Sequence, residues 1–166
     1  FSLGIVKDLC LTEGLSGSHV SFMDVSEERL DMIYNLATRY AQQVGSKLTF
    51  EATTDRESAL KDSSFVLNAA YVLGHHVEAK MRALAQDKYG YYHSGGQFGA
   101  YHQLRLMLDV AKHMEKVCPD AWLIQSGNPV FDGCTLMTRE TGIKVCGLCH
   151  GHYHYQEIAE TIGLDP

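Results

Sequence analysis

With 166 residues the chain is long enough for one domain with a real core, and its composition, 45% hydrophobic and 20% charged, is that of an ordinary soluble globular protein. A net charge of −6 gives nucleic-acid binding no electrostatic support. No apolar run approaches the roughly 20 residues that a membrane helix needs. The five cysteines, Cys10, Cys118, Cys134, Cys146 and Cys149, form no disulfide-scaffold pattern, so a reducing, cytoplasmic setting is expected. Phe1 is not an initiator residue, and the natural start is expected upstream of it.

Residues 1–11 place Leu3, Val6, Leu9 and Cys10 on one helical face. The glycine- and serine-rich stretch 12–18 breaks that helix, and residues 19–25 read as a short strand ending beside an acid, Asp24. Ser26 is the expected N-cap of a helix running to about Val44. A strand follows over 47–52, a short helix over 55–60, and a near-continuous apolar strand over 64–70. Such a strand suits a parallel sheet buried on both faces. Helix is expected over 77–88, loop over 89–101 and an amphipathic helix over 104–117. Residues 121–126 form the next strand, 130–140 a helix, 143–148 the last strand and 155–162 the last helix.

Strands and helices therefore alternate at βα spacing, which predicts an α/β, Rossmann-like parallel sheet with helices on both faces. Right-handed crossovers bring every strand's C-terminal end to one rim. The rim set is Asp24, residues 68–71, Gly127-Asn128-Pro129 and Cys149-His150.

Each rim signal has a bland counterpart. An acid such as Asp24 after a strand accepts hydrogen bonds from an adenosine ribose in dinucleotide folds, but it equally opens a turn. Asn128 before Pro129 suits a substrate hydroxyl or an Asx-type turn. Asn68, ending its own strand on the same rim, is read as a second cofactor contact. Cys149 closes the last strand, and sulfur beside imidazole suits a transition-metal ion better than calcium. Cys146 to His150 spells Cys-x-x-Cys-His, the pattern of c-type haem attachment. Cys146 lies inside an apolar run, however, and is expected to be buried as a small hydrophobe. His152 and His154 are expected to be solvent-exposed, His75 and His76 to be loop residues, and Tyr89 to Tyr92 an aromatic packing corner.

Five segments together resemble a known family: Phe1-Ser2-Leu3 with Asp8-Leu9; Met23-Asp24-Val25 with Glu28-Arg29-Leu30; Lys88-Tyr89-Gly90-Tyr91-Tyr92; Gly127-Asn128-Pro129-Val130-Phe131; and Cys149-His150-Gly151-His152-Tyr153. The chain is similar to the N-terminal part of the family-four glycoside hydrolases, nearest their α-glucosidase branch. The resemblance implies a fold similar to lactate and malate dehydrogenases, with NAD and a divalent metal, usually Mn²⁺, as cofactors. It implies that Asp24 binds the adenosine ribose, Asn128 holds substrate hydroxyls and Cys149 ligates the metal. His150 takes the place of a general acid in some relatives. A first strand and glycine-rich phosphate loop are expected before Phe1. A second metal ligand, a His, and a catalytic base, a Tyr, are expected after Pro166. On this reading residues 1–166 are a partial NAD-binding domain, and the stretch 93–97 is shorter than in relatives.

The implied reaction departs from two-carboxylate glycoside hydrolysis. It is an oxidation–elimination–addition–reduction sequence on a small α-glycoside, in a homodimer or homotetramer, with neither membrane nor nucleic acid as partner. The alternatives are an α-galactosidase or an α-glucuronidase or galacturonidase of the same family, or an NAD-dependent 2-hydroxy-acid dehydrogenase. From another class comes a non-catalytic metal- or haem-binding protein built on Cys146, Cys149 and His150.

Overall fold

The computed structural model describes residues 2–90, 97–149 and 152–164. The chain divides into two compact units, Phe1–Lys61 and Asp62–Pro166. No helix among the described residues is long and apolar enough to cross a membrane.

The first unit holds α1 (Ser2–Leu11), a 3₁₀ turn (Glu13–Leu15), β1 (His19–Met23), α2 (Glu27–Val44), β2 (Thr49–Thr53) and α3 (Arg56–Leu60). β1 and β2 pair in parallel, His19 opposite Thr49 and Met23 opposite Thr53. The rings of Phe22 and Phe50 stack at 5.7 Å across the pair. α2 begins where the sequence expects it. The Ser26 side chain accepts from the Arg29 N–H, and Glu27 and Glu28 place negative charge at the positive end of the helix dipole. Gly45 ends it with φ 69°, a left-handed conformation that costs glycine little. Leu30, Ala37 and Ala41 lie at helical spacing on the buried face.

The second unit holds β3 (Phe65–Asn68), α4 (Gly74–Tyr89), α5 (Gln97–Val117), β4 (Trp122–Gln125), α6 (Val130–Glu140), β5 (Lys144–Gly147) and α7 (His152–Thr161). Its sheet has the order β3-β4-β5, parallel throughout, with β4 in the middle. Met107, Val110, Ala111 and Met114 form a buried stripe on α5, joined by Leu123 of β4 and Met137 of α6. α5 and α6 approach closely because Gly133 has no side chain. A Cβ there would stand 2.3 Å from Met107 Sδ.

Several expectations change. First, β3 is covered on one face only. The register aligns Phe65 with Trp122 and Leu67 with Ile124, and on this face Phe65 is 66% and Trp122 43% exposed. The alternate row places Val66 beside Leu123, which is fully buried. Second, Cys146 is exposed rather than buried. It stands opposite Ile124 on an edge strand, in the row continuous with Leu67, so it shares the uncovered face. Third, α5 starts at Gln97, so residues 97–101 are helical rather than loop. Of the aromatic corner, Tyr89 ends α4 largely exposed, with Lys88 over its ring at 5.2 Å. Tyr91 and Tyr92 lie outside the described residues. His75 and His76 fall in the first turn of α4, not in a loop.

Candidate functional site

In a parallel α/β sheet the strand exits at the C-terminal edge carry the ligand-binding groups, since helix starts and loops meet there. In the second unit three such exits lie side by side. β4 and β5 pair with Gln125 opposite Gly147, and the Leu148 N–H donates to the Gln125 carbonyl at 2.9 Å. Asn128 follows β4 by three residues and Cys149 follows β5 by two, so both leave the same end of adjacent strands. Asn128 is exposed and joined to Pro129 by a cis peptide bond; Cys149 is half-buried.

Beneath these exits runs a buried chain of amides. Asn68 Nδ2 donates to Gln125 Oε1 at 2.9 Å, and Gln125 Nε2 donates to the Gly127 carbonyl at 2.8 Å. The Asn68 carbonyl accepts from both the Ser126 and Gly127 N–H groups, at 2.9 and 3.1 Å. Gln103 of α5 donates to the Ala70 carbonyl at 2.6 Å and accepts from the Val72 N–H at 3.0 Å. Asn68, Gln103 and Gln125 are 6%, 3% and 0% exposed. At that depth an unpaired amide costs about 1–3 kcal/mol, so the pairing is what lets these residues be buried.

The Asn68 side chain, expected as a cofactor contact, is bonded within the protein. Its Nδ2 meets Gln125, its Oδ1 accepts from the Ala70 N–H at 3.3 Å, and hardly any of it reaches solvent. Its side chain holds the two exit loops together. Neither glutamine stands out in the sequence as a site residue. A signal exists for each: Gln103 lies on the same helical stripe as Met107, Val110, Ala111 and Met114, and Gln125 closes an apolar strand. A polar residue on an apolar stripe needs a buried partner.

Next to this network, Tyr71 donates its hydroxyl proton to Glu78 Oε2 at 2.5 Å, and Glu78 is ion-paired with Arg82 on α4. Burial, then the hydrogen bond and charge of Glu78, push the Tyr71 hydroxyl up to about 12, with Arg82 opposing.

Asp24 stands at the C-terminal end of β1 in the first unit. Its Oδ1 accepts from the Ser26 N–H at 2.9 Å and its Oδ2 lies 3.5 Å from the Arg29 guanidinium. The turn reading is thus realised. The carboxylate remains about one-third exposed and retains acceptor capacity for a ribose. His150 lies outside the described residues, while His154 is exposed in the first turn of α7, 3.4 Å from Glu157. Among the described residues no three His, Cys, Asp or Glu side chains form a metal-binding group. Cys149 provides one soft donor, the right chemistry for one ligand of a transition-metal ion. A cleft of about 370 Å³ lined by Asp62, Phe65, Cys118 and Asp120 sits at the N-terminal ends of β3 and β4, away from the exits.

Parallel strands, helical crossovers and polar exit loops define a Rossmann-like α/β protein. Solved structures of that class match it. A 6-phospho-α-glucosidase from gut microorganisms, solved with NAD and Mn²⁺, superposes with a TM-score of 0.83 at 16% identity, over 98% of this chain and 39% of its own. The lactate dehydrogenase of Eimeria maxima superposes with a TM-score of 0.69 at 16% identity, over 98% and 46%. The family 4 glycosyl hydrolase model matches residues 1–164, and the chain belongs to that family. It is 32% identical over 161 residues to an α-galactosidase of Bacillus subtilis, covering 90% of this chain. The chain spans about a third of that relative's length, 36%.

Proposed function

We propose that this chain carries the nucleotide- and metal-proximal part of an NAD- and divalent-metal-dependent α-glycosidase acting on a small α-glycoside in the cytoplasm. The observation that carries the reading is the exit of Asn128 and Cys149 at the same end of two paired strands. An exposed amide and a half-buried thiol at one rim supply a hydrogen-bonding group for sugar hydroxyls and one sulfur donor for a divalent transition metal, taken as Mn²⁺ from the family.

Asp24 is assigned to the adenosine ribose hydroxyls, through the acceptor capacity left beside its bond to Ser26. Asn128 orients the sugar. The Cys149 thiolate is one metal ligand, and His150, following it directly, is assigned to protonation of the leaving oxygen. When bound, the cofactors supply reversible hydride transfer at the sugar and Lewis acidity toward its oxygens. The chain's own residues do the positioning: Asn68 and Gln125 fix the loops from which Asn128 and Cys149 project.

The relatives differ in sugar and linkage: one at 32% identity is an α-galactosidase, and two at 31% and 30% are 6-phospho-β-glucosidases. The α linkage is therefore proposed from the resemblance of the sequence motifs to the α-glucosidase branch, and nitrophenyl β-glycosides serve as the comparison substrates. The test is hydrolysis of nitrophenyl α-glycosides with and without NAD and Mn²⁺. Turnover requiring both supports the assignment. Net NADH accumulation with a 2-hydroxy acid would replace it with a dehydrogenase. Cys149→Ser should abolish metal-dependent turnover while leaving the circular dichroism spectrum unchanged, and retained turnover would remove Cys149 from the site.

A further inference from the structure

A glutamine on the buried stripe of a long helix is unfavourable by itself. Ordering and burying its side chain costs about 2 kcal/mol in rotamer entropy alone, and its amide must be desolvated. Methionine would fill the same volume without either penalty of polarity, as Met107 and Met114 do on the same stripe. Gln103 is 3% exposed, and both of its amide bonds go to backbone groups of one segment, the exit loop of β3. The Ala70 carbonyl and the Val72 N–H lie beyond the β3–β4 ladder, which ends at Asn68 opposite Gln125. Gln103 is thus a peg on α5 from which that loop hangs.

The loop it holds touches the other exit. Gly127 lies so near the peg that a Cβ on it would stand 3.1 Å from the Ala70 carbonyl, 3.2 Å from Gln125 Nε2 and 3.4 Å from Gln103 Nε2. From Gln103 the bonds run through Ala70 to Asn68, on to Gln125 and to the Gly127 carbonyl, one residue before Asn128. A displacement of the Gln103 amide therefore reaches the backbone that presents Asn128.

We propose that Gln103 is a positioning residue for the reaction: by holding the Ala70–Val72 loop against Gly127 it fixes where Asn128 presents the sugar. This rests on the function proposed above. Misplacing a reacting group by about 1 Å costs on the order of 100-fold in rate, so the effect belongs in kcat.

The experiment uses Gln103→Met, which keeps length and removes both polar atoms, and Gln103→Glu, which keeps an acceptor for the Val72 N–H and loses the donor to Ala70. Met114→Leu, a buried position on the same helix, is the control for packing. Three readouts are taken on each purified variant: kcat and KM with a nitrophenyl α-glycoside, NADH affinity by nicotinamide fluorescence, and amide hydrogen exchange. Both Gln103 variants should lower kcat by about 10- to 100-fold with NADH affinity within about threefold, and Gln103→Met should speed exchange at Val72 by about tenfold with the β4 amides unchanged. Met114→Leu should leave kcat near that of the parent. Unchanged kcat in a folded Gln103 variant, or an equal loss in Met114→Leu, overturns the proposal. If the parent binds no NADH, the functional reading fails on its own, and unchanged protection at Val72 in Gln103→Met then overturns the peg independently. Should Gln103→Met fail to fold, Gln103→Glu carries the same kcat test.

Discussion

The side-chain amide of Asn68 donates to that of Gln125 at 2.9 Å, from one strand to its parallel neighbour, with both residues buried. This bond joins the ends of β3 and β4 at the last pair of their register. Gln125→Met removes it and leaves the Asn68 amide without its partner. The loss should be about 1–3 kcal/mol in urea unfolding. Replacing both residues, in Asn68→Leu with Gln125→Met, should cost less than the sum of the single changes, because no orphaned amide remains between them. Strict additivity would show that the bond carries no coupling.

Helix packing in the second unit depends on the absent side chain of Gly133. A Cβ there falls 2.3 Å from the sulfur of Met107, which has no exposed surface into which to move. Gly133→Ala should destabilise by about 1–3 kcal/mol, as overpacking does, despite the higher helix propensity of alanine. In a Met107→Ala background, itself destabilised by its cavity, the added cost of Gly133→Ala should shrink because the clashing sulfur is gone, measurable as non-additive shifts of the thermal midpoint.

Thiol reactivity should follow burial and not order in the chain. Cys118 and Cys134 have their thiols pushed above the usual range by burial, and Cys134 further by the nearby Cys146. Cys146 is exposed on the uncovered sheet face. At a pH of about 8, iodoacetamide should label Cys146 well before Cys118 and Cys134, since the thiolate is the reacting form. Peptide mapping over a time course reads the order directly. Equal labelling of Cys118 and Cys146 would contradict the packing of β5.

Tyr71 gives a pH window. Folding lifts its hydroxyl from 10.0 to about 12, so between those values the unfolded chain binds fewer protons than the folded one. Stability therefore falls as pH rises through that window. Tyr71→Phe removes this contribution, and the decline of the thermal midpoint from about pH 10 upward should become shallower. An unchanged slope would place the source in other groups.

Much of the fold is legible in the residues themselves. The helix starting after Ser26 and stopping at Gly45, the helix Val130–Glu140 and the βα alternation all follow from capping residues, apolar spacing and glycine. These are short-range effects, settled within a few residues of chain. The Cys-x-x-Cys-His string is equally plain to read, yet the exposure of Cys146 is not, because it depends on which sheet face the helices cover. Asn68 illustrates the same limit from the other side: its place at a strand end is legible, its commitment to Gln125 is not.

Residue pattern alone was enough for the order and kind of the elements, the parallel sense of the strands and the rim on which Asn128 and Cys149 emerge. The amide chain that supports that rim came into view only with the packed molecule. Its bonds join residues 57 positions apart, Asn68 to Gln125, and 33 apart, Gln103 to Ala70. Local propensity acts over one helical turn, whereas a buried amide finds its partner only after packing has brought distant segments together and removed the water that would otherwise satisfy it.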